Sequence, residues 1–266
     1  MSTDGIDIVN VIVAMMVPLA GTVAGAACVF FLKHEMPLLL RKSLMGFAAG
    51  VMVAASVWSL LIPAMEIGEG QGIGAIVPAA VGFMAGILFL LIIDRLTPHQ
   101  HVHTAESEGL PSKWSRTSKL ALAITIHNIP EGIAIGITLA GALEESAYIS
   151  MAGALALAIG LAIQNFPEGA IVSMPLRELG NSRRRAFAIG ALSGVVEPVA
   201  AVITLFVSSL ILPVFPYILA FGAGAMMYVV VEELIPETAE GRHSNLGTVG
   251  FAIGFVLMMA LDVVLG

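Results

Sequence analysis

Two near-copies of one hexapeptide carry the residues most capable of chemistry. They are His127-Asn128-Ile129-Pro130-Glu131-Gly132 and Gln164-Asn165-Phe166-Pro167-Glu168-Gly169. His127 and Glu131 are four residues apart, so a helix puts them on one face, and Gln164 and Glu168 repeat the arrangement. Asn128 and Asn165 follow about 100° further round, adjoining that face. Pro130 and Pro167 each remove a backbone donor and bend the helix, freeing carbonyls near residues 126 and 163. The glycine that follows lets another helix come close. A third Glu-Pro pair is Glu197-Pro198. Imidazole, carboxylate and amide form a borderline-to-hard ligand set. It suits Zn²⁺, Fe²⁺, Mn²⁺ or Cd²⁺ better than Cu⁺, which prefers sulfur. Three carboxylates favour a divalent cation further, because metal charge offsets the cost of burying them. A lone His has a plainer reading as a core residue, and a lone Pro-Glu as a kink. The duplication and the third Glu-Pro together argue for a cation site.

The elements that must hold these residues are membrane helices. Of the 266 residues, 58% are hydrophobic and only 12% charged, with mean hydropathy +0.96. A soluble domain carries about 25% charged residues, so a soluble globule and a disordered chain are both excluded. A bilayer core of ~30 Å needs about 20 apolar residues in a helix. Such runs fall at Ile8–Leu32, Ser43–Met65, Ile73–Ile93, Leu120–Leu143, Tyr148–Met174, Ala186–Ile211, Val214–Leu234 and Leu246–Leu265. Glu131, Glu168 and Glu197 lie near the midpoints of three of them, where an ionisable residue is expected to be functional. The expected fold is an all-α integral membrane protein of eight transmembrane helices, forming a single transmembrane domain over residues 1–266. The longest connection, about 94–119, is too short for a soluble domain.

All twelve Lys and Arg fall in or beside alternate loops: Lys33, Arg41 and Lys42; Arg95, Lys113, Arg116 and Lys119; Arg177, Arg183, Arg184 and Arg185; and Arg242. The positive-inside rule makes these loops cytoplasmic. Both termini are then expected outside, in a multi-pass plasma-membrane protein. Asp4 and Asp7, with no basic residue before a long apolar run, argue against a cleavable signal peptide. The net charge of −7 and the few bases exclude nucleic acid as an expected partner. The single Cys28 reads as a packing residue.

The chain also looks internally repeated. Phe47-Ala-Ala-Gly50-Val-Met52 resembles Phe221-Gly-Ala-Gly224-Ala-Met226, and Leu61-Ile62-Pro63 resembles Leu234-Ile235-Pro236 with a one-residue slip. These spans run in opposite directions, as do the two that share the hexapeptide. A 3+2+3 inverted repeat is implied, a pattern of secondary transporters with broken helices around a central site. Small-xxx-small pairs recur at Gly21/Gly25, Gly46/Gly50, Gly82/Gly86, Gly132/Gly136, Gly190/Gly194 and Gly250/Gly254. Packing within the chain is the expected use for most, with a homodimer face left open.

With eight spans, a His-containing third loop and the paired HNIPEG and QNFPEG motifs, the chain resembles the ZIP (Zrt-, Irt-like protein) family of divalent metal transporters, in its prokaryotic branch. The resemblance implies transport of Zn²⁺, Cd²⁺, Fe²⁺ or Mn²⁺ into the cytoplasm, the metal being cargo and not a resident cofactor. It implies one metal on His127, Glu131, Gln164 and Glu168, with Met52 as a soft ligand. It implies a second on Asn128, Glu131, Asn165, Glu168 and Glu197, with Glu131 and Glu168 bridging. Some prokaryotic members have Asp at the position of Asn165, so the second site is expected to be weaker or mainly structural here.

Further candidates flank this centre. Glu66, Glu69, Glu144 and Glu145 lie on the outer side and read first as solvated loop charges. Glu232 and Glu233 near the inner end of the seventh span suit a metal exit. Asp94, beside Arg95, reads as an ion-paired helix end or part of that exit. His99, His101 and His103 form an HxHxH tract able to bind Zn²⁺. No Walker A sequence is present, so movement is expected to follow the metal gradient or a co-ion. An enzyme is not expected: an intramembrane metalloprotease needs H-E-x-x-H. A selective passive channel is the alternative reading, disfavoured by a ligand set able to hold metal tightly.

Overall fold

The computed structural model describes residues 3–31, 36–67, 72–98, 109–113, 115–144, 148–239, 241 and 243–265. Eight helical spans in it are long and apolar enough to cross a membrane: α1 (Ile8–Phe31), α2 (Leu38–Glu66), α3 (Ile76–Leu96), α4 (Thr117–Leu143), α5 (Met151–Glu178), α6 (Arg183–Phe206), α7 (Ser208–Ala239) and α8 (Leu246–Leu265). Several ends differ from the apolar runs. α5 continues past Met174 to Glu178, and α7 past Leu234 to Ala239. α6 stops at Phe206, and Ser208–Ile211 joins the next span through a turn at Leu212–Val214. Hydropathy sees only what lipid selects, whereas a helix continues into water until a cap ends it.

Caps mark several helix ends. Ser115, Ser150 and Ser182 each accept a hydrogen bond from the backbone N–H three residues on, opening α4, α5 and α6. α5 ends in a Schellman turn, with Gly180 at φ 88° and Asn181 N–H donating to Leu176 O at 3.3 Å.

The packing follows the repeat. α2 lies along α8 and α3 along α7, while α1 lies along α5 and α4 along α6. If α1–α3 correspond to α6–α8 and α4 to α5, the first contact maps onto the second and the third onto the fourth. Glycine makes each close approach. A Cβ at Gly46 or Gly50 would strike the α8 backbone at Gly247 or Phe251, and one at Gly82 or Gly86 the α7 backbone at Tyr217 or Phe221. Gly21 and Gly25 press on Ala162 and Phe166 of α5, and Gly132 on Glu197 of α6. The small-residue stripes are thus used within the chain.

The two related helices α2 and α7 share a defect. A π-helical turn occupies Ser56–Leu61 in one and Val230–Leu234 in the other. Each precedes Ile-Pro, whose proline cannot donate to the carbonyl four residues back. Ile62 N–H donates to Val57 O, and Ile235 N–H to Val230 O, five residues back. The first turn is one residue longer, and there the slip in the repeat is absorbed.

Candidate metal centre

The site is built where α1, α4, α5 and α6 meet, with α7 alongside. Asn128, Glu131, Gln164, Asn165 and Glu197 are all buried. Gln164 Nε2 donates to Glu131 Oε1 at 2.6 Å and lies 3.4 Å from Asn165 Oδ1. One member of each hexapeptide therefore grips the other. Asn165 Nδ2 reaches across to Pro18 O at 3.5 Å.

Glu197 is held by a break in α6. The span is helical to Ser193, turns, and is helical again from Val196. Pro198 lacks the N–H that would bond Gly194 O. That carbonyl instead takes the N–H of Glu197 at 3.1 Å. Ser193 O, the regular α-helical acceptor for Glu197 N–H, is then filled by Asn128 Nδ2 at 3.3 Å. Asn128 Nδ2 also donates to Glu197 Oε1 at 3.1 Å, and Thr22 Oγ1 to the same oxygen at 3.2 Å.

His127 and Glu168 lie toward α7. His127 Nε2 contacts Glu233 Oε1. Glu168 is half-buried, within electrostatic reach of Glu131 and Glu197 on one side and of Glu233 and Glu237 on the other. Glu233, read as an exit residue, thus joins His127 of the first hexapeptide. Glu232 is exposed. Asp94 is buried and accepts from Tyr228 Oη of α7 at 3.2 Å. Met52 is enclosed in the main apolar core. His99, His101, His103, Glu69 and Glu145 lie outside the described residues.

Three oxygens in this assembly have no hydrogen-bond donor although they are buried: Glu131 Oε2, Glu197 Oε2 and Gln164 Oε1. A buried acceptor left unsatisfied costs about 1–3 kcal/mol, more when charged. A divalent cation would satisfy all three. Among the described residues no three His, Cys, Asp or Glu side chains are gathered into a ready-made cage. Glu131 is tied to an amide, and Glu197 to an amide and a hydroxyl.

Sequence reasoning missed Pro18 and Thr22 of α1, and the role of Ser193 O. The only signal in α1 was a Pro and a Thr four apart in an apolar run, which many membrane helices contain. It also missed Asp262 of α8, whose carboxylate accepts from Ser59 Oγ at 3.3 Å. Asp262 and Ser59 line a cavity of about 190 Å³ with Glu66, Thr138, Tyr148 and Ser150. Glu66 therefore borders this cavity, while Glu144 caps the C-terminus of α4.

The family model described as ZIP Zinc transporter matches residues 99–262. The chain belongs to the ZIP family. Among ZIP relatives, human Zinc transporter ZIP11 is 39% identical, covering 92% of this chain and 94% of its own. Zinc transporter GufA of Myxococcus xanthus is 36% identical over 93% of this chain and 96% of its own. Zinc transporter ZupT of Streptococcus mutans is 32% identical over 92% and 94%. GufA and ZupT are bacterial proteins, which is consistent with the prokaryotic branch.

Proposed function

We propose that this protein is a secondary transporter that carries divalent transition metals, zinc foremost, into the cytoplasm of a bacterial cell. The observation that carries the reading is the set of three donor-free buried oxygens on Glu131, Gln164 and Glu197, on three helices that each carry a Pro beside a Glu, the third of them broken there. His127 and Glu168 complete the inner side of the centre, and Met52 is a soft ligand from α2. The relatives named as zinc transporters support zinc over the other ions that this ligand set accepts.

The path continues inward. His127 touches Glu233, and Glu233 lies in the π-turn of α7 with Glu232. Asp94 and Tyr228 stand beside them. A metal leaving the centre passes from His127 to these acids and then to the tract His99, His101 and His103, a weak relay. With no nucleotide site, the driving force is the metal gradient or a co-ion, and the same carboxylates can carry a proton.

Competition uptake into vesicles tests this, with Zn²⁺, Cd²⁺, Fe²⁺ and Mn²⁺ offered at two pH values. Saturable zinc uptake, competed best by Cd²⁺, is the expected result. A flux linear in concentration would point to a channel, and a flux indifferent to the other metals would remove the proposed ligand set.

A further inference from the structure

Thr22 of α1 stands outside both hexapeptides and outside the Glu-Pro pairs, yet it touches the centre. We propose that Thr22 is a positioning residue for the metal site. It ties down one oxygen of Glu197, so that the carboxylate meets the cation through the other. This rests on the function proposed above, since Glu197 must be a metal ligand for its orientation to matter.

The hydrogen bonds are unequally shared. Glu197 Oε1 accepts from Thr22 Oγ1 at 3.2 Å and from Asn128 Nδ2 at 3.1 Å. Glu197 Oε2 is buried with no donor in hydrogen-bonding range, although the Asn165 amide stands near the carboxylate. A carboxylate with two donors on one oxygen cannot turn without losing both. The Thr22 hydroxyl has one proton and two acceptors in reach, Glu197 Oε1 and Pro18 O at 3.4 Å. The carboxylate oxygen is the nearer acceptor, and once ionised against a bound cation it takes the stronger bond.

The position of Thr22 is itself enforced. A Cβ on Gly169, the residue after Glu168, would collide with Thr22 O. A Cβ on Gly194, three residues before Glu197, would stand 2.9 Å from both Thr22 Cβ and Cγ2. Two glycines, one next to Glu168 and one a turn before Glu197, let α1 seat this residue between α5 and α6. Asn165 Nδ2 lies 3.5 Å from Pro18 O one turn away, so α1 braces both halves of the centre.

The test is zinc uptake against zinc concentration in proteoliposomes for wild type, Thr22→Val, Thr22→Ser, Thr22→Ala and Glu197→Gln. Valine keeps the shape and removes the hydroxyl, whereas serine does the reverse. A hydrogen bond to a charged group is worth about tenfold or more in affinity. Thr22→Val is therefore expected to raise KM for zinc about tenfold with a smaller change in Vmax, and Thr22→Ser to recover most of that loss. In a Glu197→Gln background, Thr22→Val should add little. If Thr22→Val yields no folded protein, the smaller Thr22→Ala must show the same rise in KM. A merely packing role reverses the order, with valine near wild type and serine impaired, and that order overturns the proposal. A normal KM in Thr22→Val beside a defective Glu197→Gln overturns it while leaving the site reading intact. Normal uptake by Glu197→Gln would remove the site reading as well.

Discussion

Glu131 and Glu197 share one design: a buried carboxylate with one oxygen tied to an amide and the other bare. The tied oxygen fixes the group, and the bare one is available to a cation. Asn165 breaks the charge pattern. An amide there satisfies Pro18 O but adds no negative charge to the side of the centre nearest Glu197. Asn165→Asp should therefore raise the metal content of purified protein at saturation from about one ion per chain toward two. Unchanged stoichiometry would mean that charge at this position does not limit the second site. At this scale the sequence was informative wherever a residue was duplicated. The two hexapeptides and Glu197-Pro198 were legible because polar residues stood out in apolar runs. Thr22 was not, because a hydroxyl can satisfy itself on its own helix and so carries no signal of a distant partner.

Helix packing is where the glycines act. The α2–α8 and α3–α7 contacts are matched halves of the repeat, and each depends on a glycine whose missing Cβ would enter the facing backbone. Gly50→Val and Gly86→Val should each destabilise the folded protein, by about 1–3 kcal/mol as core overpacking does. Thermal unfolding in detergent measures this. A pair of unchanged Tm values would show that these contacts are looser than the structure has them. Helix number and kind were readable from apolar run length alone. The π-turns of α2 and α7 were not, because they arise from the proline after them together with one extra residue, and hydropathy is blind to both. The repeat was visible only as two short resemblances, whereas the helix pairing displays it along four contacts.

Across the whole chain, the charges divide by place. All twelve basic residues lie in or beside alternate loops, while Glu131, Glu168, Glu197 and Glu233 lie near one another. Asp262, with Glu66, adds a second acidic patch around the cavity lined by the ends of α2 and α8. Orientation follows from the bases: a C-terminal alkaline phosphatase fusion should be active in a bacterial host, and a C-terminal fluorescent fusion dark. The opposite pair of signals would invert the proposed direction of transport.

The central claim is that metal crosses through the carboxylates of the two hexapeptides. Its most direct measurement is uptake of radioactive zinc into proteoliposomes by wild type, Glu131→Ala and Glu168→Ala, each first shown to be folded by gel filtration and thermal unfolding. The account predicts saturable uptake by wild type and a rate at the protein-free background in both variants. Uptake at the wild-type rate by either folded variant would contradict it.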